Sequence, residues 1–129
     1  MKKNFLILGV DTSCDETSVA VTQDDRVLSN VIASQVEFHK PYGGVYPMLA
    51  KRKHQEFIDP TINEALRRAG LLNCGRPALP QLIDALAVTV GAGLAPALEV
   101  GIAKIKELAK KYKKPVIAVN HMEAHFLSS

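Results

Sequence analysis

The chain has 129 residues, of which 47% are hydrophobic and 22% are charged, and its formal net charge is +3. A chain of this length can bury one substantial core, and this composition is that of a globular protein. Its apolar runs fall short of the roughly 18 residues that a membrane-spanning helix requires. The composition therefore excludes a membrane span, and so mild a charge does not by itself imply a nucleic-acid partner.

The amino terminus and the cysteines indicate a cytoplasmic protein. Met1 to Asn4 is basic, but the apolar run Phe5 to Val10 ends at Asp11. It is shorter than the roughly 7 to 15 residues of a signal peptide's apolar core. Cys14 and Cys74 form no Cys-x-x-Cys pair, and two reduced thiols are typical of a reducing compartment.

The first part of the chain predicts three short strands. Phe5 to Val10 is continuously apolar, Thr17 to Thr22 alternates small polar and apolar residues, and Asp24-Asp25 forms a turn before Arg26 to Ala33. Such short connections predict an antiparallel meander. The stretch from His39 to Pro47 is rich in glycine and proline, so we expect it to be irregular.

A helical pattern begins near Met48. Apolar residues recur near a 3.6-residue period at Leu49, Phe57, Ile58, Ile62, Ala65, Leu66 and Ala69. Gly70 suits the end of this helix. Either the helix kinks at Pro60, or Asp59 caps a second helix with Pro60 in its first turn. A loop is expected from Asn73 to Gln81.

The remainder predicts two further strands and two helices. Ile83 to Val90 is strand-like, and the glycines after it turn into a helix with an apolar face of Leu98, Ile102, Ile105, Ala109 and Tyr112. Pro115 stops that helix, Val116 to Val119 is a strand, and a last helix begins near His121. The predicted order is β-β-β-α-β-α-β-α, an α/β lobe with an antiparallel hairpin edge and helical crossovers between parallel strands.

Basic residues cluster in three places, at Lys51 to His54, at Arg67-Arg68, and between Lys104 and Lys114, where there are six lysines. Solvated helix faces usually have this composition. A basic docking surface for RNA phosphates is the alternative interpretation.

The first candidate site is Asp11-Thr12-Ser13-Cys14-Asp15-Glu16-Thr17, between the first two strands. Hydroxyls and backbone amides in a tight hairpin can cradle phosphate, while carboxylates can hold a divalent cation or orient water. A plain polar turn is the alternative, because most hairpin connections are polar. Three acids between two apolar strands nevertheless exceed what a turn requires.

The second candidate site is Val90-Gly91-Ala92-Gly93-Leu94, a turn from a strand into a helix. Glycines let backbone approach a ligand, and a helix amino terminus attracts anions. The turn is neither Gly-x-Gly-x-x-Gly nor a P-loop. Gly101, further along the helix, predicts close packing against a neighbouring element. For the glycines of the turn, tight packing is as good an explanation as contact with a ligand.

The third candidate site is His121-Met122-Glu123-Ala124-His125. Histidines four apart on a helix share one face, so both can reach one metal ion, although metal sites usually need three or four ligands. Glu123 lies about 200° around the helix from His121, so the metalloprotease mechanism of His-Glu-x-x-His does not follow. A chance pair of histidines is the alternative.

Taken together, these motifs resemble those of the TsaD family, also called Gcp or YgjD and formerly O-sialoglycoprotein endopeptidase. The resemblance extends from about Phe5 to Leu127. It rests on motifs in the order and approximate spacing of the family: Asp11 to Thr17, Tyr42-Gly43-Gly44-Val45-Tyr46-Pro47, Gly91 to Leu94 with Val100-Gly101, and His121 to His125. The chain departs from the family where relatives usually read Gly-Pro-Gly-Leu and it has Gly91-Ala92-Gly93-Leu94.

The resemblance implies an actin-like, hexokinase-like ATPase fold (ribonuclease H-like) of two lobes, of which residues 1–129 form the first. Family members are acyltransferases that transfer a threonylcarbamoyl group from threonylcarbamoyl-adenylate to the adenosine beside the anticodon of tRNA, together with partner proteins. The implied cofactors are one divalent metal, iron or zinc, and an adenine nucleotide or threonylcarbamoyl-adenylate. This lobe alone is expected to be inactive and to self-associate as a homodimer, because apolar surface is left bare.

By motif match, His121 and His125 are metal ligands, and the third ligand is an aspartate of the second lobe with no counterpart here. Asp15 and Glu16 correspond to a loop that matters for activity, and we assign them catalytic roles. Asp11, Thr12 and Ser13 are assigned to a phosphate-binding loop. The rival interpretations are a non-catalytic scaffold paralogue, which tends to lose the histidine pair, a metalloprotease, and a sugar or acetate kinase of the same superfamily.

Overall fold

The computed structural model describes residues 5–13, 16–34, 47–73, 76–77, 83–93 and 95–120. Their backbone forms strands and helices in the order β1 (Leu6–Asp11), β2 (Glu16–Gln23), β3 (Arg26–Ser34), α1 (Pro47–Arg68), β4 (Leu72–Asn73), β5 (Arg76–Pro77), β6 (Ala85–Gly91), α2 (Ala95–Tyr112) and β7 (Val116–Asn120).

Five of the strands form one mixed sheet in the order β3-β2-β1-β6-β7. β1, β2 and β3 are antiparallel neighbours, so the predicted meander is confirmed. β6 is parallel to both β1 and β7, and α2 makes the crossover from β6 to β7. The predicted α/β class, with a hairpin edge and helical crossovers between parallel strands, is therefore also confirmed.

Both helices pack on one face of this sheet. α1 lies against β2 and β3, α2 lies against β6 and β1, and the helices contact each other. The core between helices and sheet contains the fully buried side chains of Leu8, Val19, Val21, Leu66, Ile83, Leu86 and Ile105. Each side chain of this size contributes about 1.5–3 kcal/mol when it leaves water, so this layer holds the helices on the sheet.

α1 is continuous through Pro60, so of the two alternatives the second helix capped by Asp59 is wrong. Pro60 is exposed and has no N–H, which removes one backbone hydrogen bond from the helix. Packing of the buried stripe on both sides of Pro60 holds the helix together. The helix ends as predicted, because Gly70 adopts a φ of 77° and the N–H of Leu71 donates to the carbonyl of Leu66 at 2.8 Å.

The predicted loop from Asn73 to Gln81 is wrong in part, because Leu72 pairs with Pro77 and Asn73 with Arg76 in a two-stranded sheet. Strands of two residues have no periodicity from which they could be predicted. The last helix near His121 and the Tyr42–Tyr46 segment lie outside the described residues. Among the helices of the described ranges, none is both long and apolar enough to cross a membrane.

Candidate functional site

The carboxyl ends of three neighbouring parallel strands form the edge at which the described motifs meet. Asp11 ends β1, Gly91 ends β6 and Asn120 ends β7, and the three strands lie side by side. α2 begins at Ala95, just beyond β6. Ligands of open α/β sheets bind outside the carboxyl ends of the strands. We call this region, residues 11–13 with 91–93, the carboxyl edge.

Asp11 joins the ends of β1 and β6 through its carboxylate. Its Oδ1 accepts a hydrogen bond from the backbone N–H of Ser13 at 2.8 Å, and its Oδ2 accepts one from the hydroxyl of Thr89 at 2.9 Å. The first hydrogen bond closes the local turn that an aspartate side chain favours. The second holds the carboxylate against β6. Thr89 escaped the sequence analysis, because only the pairing of the two strands brings it to Asp11.

Thr12 is fully buried and bonds to α2. Its hydroxyl donates to the carbonyl of Ala97 at 2.7 Å and accepts the N–H of Gly101 at 3.1 Å. A Cβ added to Gly101 would lie 2.7 Å from the Thr12 Oγ1, which confirms the predicted close packing at this glycine. Thr12 therefore ties the turn after β1 to the first two turns of α2.

Gly93 packs against the turn that follows β1. A Cβ at this position would lie 2.8 Å from the Cβ of Ser13 and closer still to the Ser13 carbonyl oxygen. Only glycine leaves room for this approach, so tight packing explains Gly93. The two loops of the carboxyl edge consequently form one continuous surface.

A shallow groove of about 170 Å³ adjoins the carboxyl edge. Its small lining residues alternate with the core residues of β1, β2 and β6, which puts them on the sheet face opposite the helices. The lining includes Gly9, Asp11, Ser18, Ala20, Ala87 and Thr89. The groove thus has a largely apolar floor, with the carboxylate of Asp11 at the end that meets the carboxyl edge.

Glu16 is exposed at the start of β2, where it pairs with Ser34. Cys14 and Asp15 lie outside the described residues. The catalytic roles of Asp15 and Glu16 therefore stay predictions. Glu16 is the first residue of β2 after the connection from β1, and it lies two residues before Ser18, which pairs with Asp11.

His54 is a functional candidate that the sequence analysis missed. It was grouped with a basic cluster, but its side chain is fully buried, and its Nδ1 lies 2.7 Å from the hydroxyl of Thr17. His54 lies four residues before Ile58 and eight before Ile62, so it continues the buried stripe of α1. Helical spacing could have revealed it. The pair ties α1 to β2 next to Glu16.

Ion pairs neutralise most of the basic residues on α1. Lys53 lies 3.1 Å from Glu56, and Arg67 and Arg68 both approach Glu64. The hydrogen bond from Arg67 lowers the pKa of the Glu64 carboxyl.

Lys104 joins the two helices. Its Nζ lies 2.9 Å from Asp59 on α1 and 3.3 Å from Glu107 on α2. Partial burial lowers the pKa of Lys104, but the hydrogen bond to Asp59 and the attraction of both carboxylates outweigh that effect, and the pKa is raised.

The predicted metal ligands His121 and His125 lie outside the described residues. Within the described ranges, no group of three or more His, Cys, Asp or Glu side chains is placed to hold a metal ion. His121 directly follows Asn120, the last residue of β7. The metal site stays a prediction.

Comparison with protein families gives a match over residues 26–129 to the TsaD family, described as tRNA N6-adenosine threonylcarbamoyltransferase. Proteins of that name are similar in sequence. The one from Syntrophobacter fumaroxidans is 52% identical over 94% of this chain and 34% of its own length. The one from Thermomicrobium roseum is 50% identical over 97% of this chain and 33% of its own length. The chain thus spans about a third of these relatives.

Comparison with solved structures supports the fold. YeaZ from Pseudomonas aeruginosa superimposes with a TM-score of 0.66 over 90% of this chain and 44% of its own length, at 23% identity. The predicted actin-like, ribonuclease H-like lobe is confirmed by this likeness.

Proposed function

Because the chain belongs to the TsaD family, we propose that it is the first lobe of a cytoplasmic tRNA threonylcarbamoyltransferase. The family match over residues 26–129 carries this proposal. The complete enzyme transfers a threonylcarbamoyl group from threonylcarbamoyl-adenylate to the adenosine beside the anticodon of tRNA, and it works with partner proteins. Residues 1–129 supply the carboxyl edge, and the remaining two thirds of the enzyme supply the rest of the active site.

The carboxyl edge binds the phosphate of an adenine nucleotide or of threonylcarbamoyl-adenylate. Asp11, Thr12 and Ser13 shape this loop, and the bonds of Thr12 to α2 support a role in holding the turn. The Thr12 hydroxyl is committed to the helix and Ser13 is buried against Gly93, so both residues shape the edge from beneath. Asp15 directly precedes β2, Glu16 is its first residue, and the two carboxylates orient the reacting groups.

His121 and His125 hold a divalent metal, iron or zinc, together with an aspartate of the second lobe. Two imidazoles and a carboxylate suit either ion. Their position in the chain, directly after β7, supports a metal site beside the carboxyl edge. When bound, the metal supplies Lewis-acid polarisation of the donor.

The proposal is tested by a chimera in which residues 1–129 replace the matching third of the Syntrophobacter fumaroxidans relative. The chimera, threonylcarbamoyl-adenylate, tRNA and the partner proteins of that relative are combined, and modified adenosine is measured by mass spectrometry. We expect transfer by the chimera and none by the 129-residue chain alone. A folded chimera that binds its partners but transfers nothing would instead identify the chain as a scaffold.

The metal ligands are tested in the same chimera by elemental analysis. About one metal ion per chimera is expected, because three protein ligands suffice for a catalytic site. His121→Ala should remove most of it, while Lys106→Ala, a change on α2 away from the carboxyl edge, should not. Full metal retention by the His121→Ala chimera would contradict the assignment.

A further inference from the structure

In the described part of the chain, the basic residues without an acidic partner are densest at and just beyond the carboxyl end of α2. Lys106, Lys110 and Lys113 are exposed. No carboxylate among the described residues pairs with them, whereas the basic side chains at 53, 67, 68 and 104 all have one. His54, which the sequence placed in a basic cluster, is buried. Within the ranges described, Arg52 alone stays unpaired in the first cluster, so most of the uncompensated positive charge lies at the end of α2.

Positive charge is concentrated at this end of the molecule. Between Lys104 and Lys114 there are six lysines and one glutamate, so this segment has more net positive charge than the whole chain, which has +3. The single glutamate, Glu107, is already paired with Lys104. The negative end of the helix dipole favours lysines in the last turn, but it does not explain Lys106, which lies nearly two turns before the end.

Two of the three lysines share one side of the helix. Lys106 and Lys110 are four residues apart and thus about one turn apart on α2. Lys113 is the first residue beyond the helix, where its φ is 56°, and it extends the group of cations past the end of α2. A row of exposed cations at such intervals is complementary to the row of phosphates on a nucleic-acid backbone. We call these three residues the lysine row.

We propose that the lysine row is a docking surface for the phosphate backbone of tRNA. This inference rests on the proposed function, since that function makes tRNA the polyanion that the protein meets. α2 has 18 residues and is therefore about 27 Å long, with its amino end at the carboxyl edge. The lysine row thus contacts the RNA away from the modified adenosine. Phosphate contacts of this kind fix register and orientation and carry no sequence information.

The test measures, by fluorescence anisotropy, the affinity of the 129-residue chain for a tRNA transcript over a range of salt concentrations. In the variant K106Q/K110Q/K113Q, the slope of log affinity against log salt should become shallower by about 2 to 3, because each lost phosphate contact removes roughly 0.7–0.9. Affinity at low salt should fall about tenfold or more.

The matched control is K53Q/R67Q/R68Q, which removes the same charge from residues that are already paired. Its affinity for tRNA should fall much less than that of K106Q/K110Q/K113Q, because these side chains are held by Glu56 and Glu64 and supply no contact of the lysine row. K106R/K110R/K113R, which keeps the charge, should bind like the original chain, and helical circular dichroism should be equal in all variants.

Equal losses in the glutamine variant and the control would overturn the proposal, because net charge alone would then explain binding. It would also be overturned if the glutamine variant lost affinity for vesicles of anionic phospholipid and kept its affinity for tRNA. Failure of the proposed function is a separate result, in which the chimera transfers nothing although the chain binds tRNA through the lysine row.

Discussion

At the scale of single residues, one threonine hydroxyl and two glycines hold the carboxyl edge together. Thr12 bonds to Ala97 and Gly101 of α2, and Gly93 lies against Ser13. The glycines could be recognised from the sequence. The contact of Gly101 with Thr12 could not, because the two residues are 89 positions apart and meet only when β1 lies beneath α2.

Gly101→Ala should destabilise the fold by about 1–3 kcal/mol, because the new methyl group would lie 2.7 Å from the Thr12 oxygen in a buried position. Urea unfolding followed by circular dichroism measures the change. Gly9→Ala is the control, since its Cβ would lie 3.8 Å from that of Ala87. Equal stabilities of the two variants would show that Thr12 and α2 are not in close contact.

Thr17→Val should cost about 1–3 kcal/mol in the same measurement. It keeps the shape of the side chain but removes the hydroxyl that pairs with the buried His54. Ser18→Ala, on the opposite face of β2, is the control and should change the free energy of unfolding far less. A neutral Thr17→Val would mean that the pair contributes nothing to the attachment of α1.

At the scale of elements, apolar runs and periodicity revealed every strand of the five-stranded sheet and both helices, because most of these elements bury one face, although β7 is largely exposed. Local sequence signals were misleading at Pro60, where tertiary packing determines the structure. Proline at position 60 suggested an interruption, yet the apolar stripe of α1 continues on both sides of it at Ile58 and Ile62. Tertiary packing overrides the local preference of one exposed residue.

Pro60→Ala should stabilise the chain by about 1–3 kcal/mol, because alanine restores the missing N–H within a continuous helix. The midpoint of urea unfolding measures the gain. Asn63→Ala, also exposed on α1, should give less than about 1 kcal/mol. A loss of stability in the Pro60→Ala variant would indicate that the helix is broken at this position.

Lys104→Gln should reduce stability by less than about 1 kcal/mol at neutral pH, because the ion pairs of Lys104 are partly exposed. The pKa of Lys104 is raised in the folded state, so its contribution is complete below the ordinary lysine pKa. It is lost as the pH rises through the raised value. The unfolding free energies of variant and original chain should therefore converge at strongly alkaline pH. A difference that persists there would contradict this account.

At the scale of the whole molecule, the two proposed functional surfaces lie at opposite ends of α2. The carboxyl edge gathers Asp11, Thr12 and Ser13 with the glycine turn, and the opposite end of α2 carries the lysine row. The sequence alone revealed the family and the motifs. It could not distinguish paired from unpaired basic residues, because that distinction depends on which carboxylates the helices bring within reach.

The central claim is that residues 1–129 are the first lobe of a tRNA threonylcarbamoyltransferase. The most direct test is the threonylcarbamoyladenosine content of total tRNA in cells whose own transferase is replaced by the chimera. We predict that the chimera restores the modification, and that the same chimera with His121→Ala and His125→Ala does not. A well-expressed chimera that leaves the tRNA unmodified, or a double variant that modifies it fully, would contradict the account.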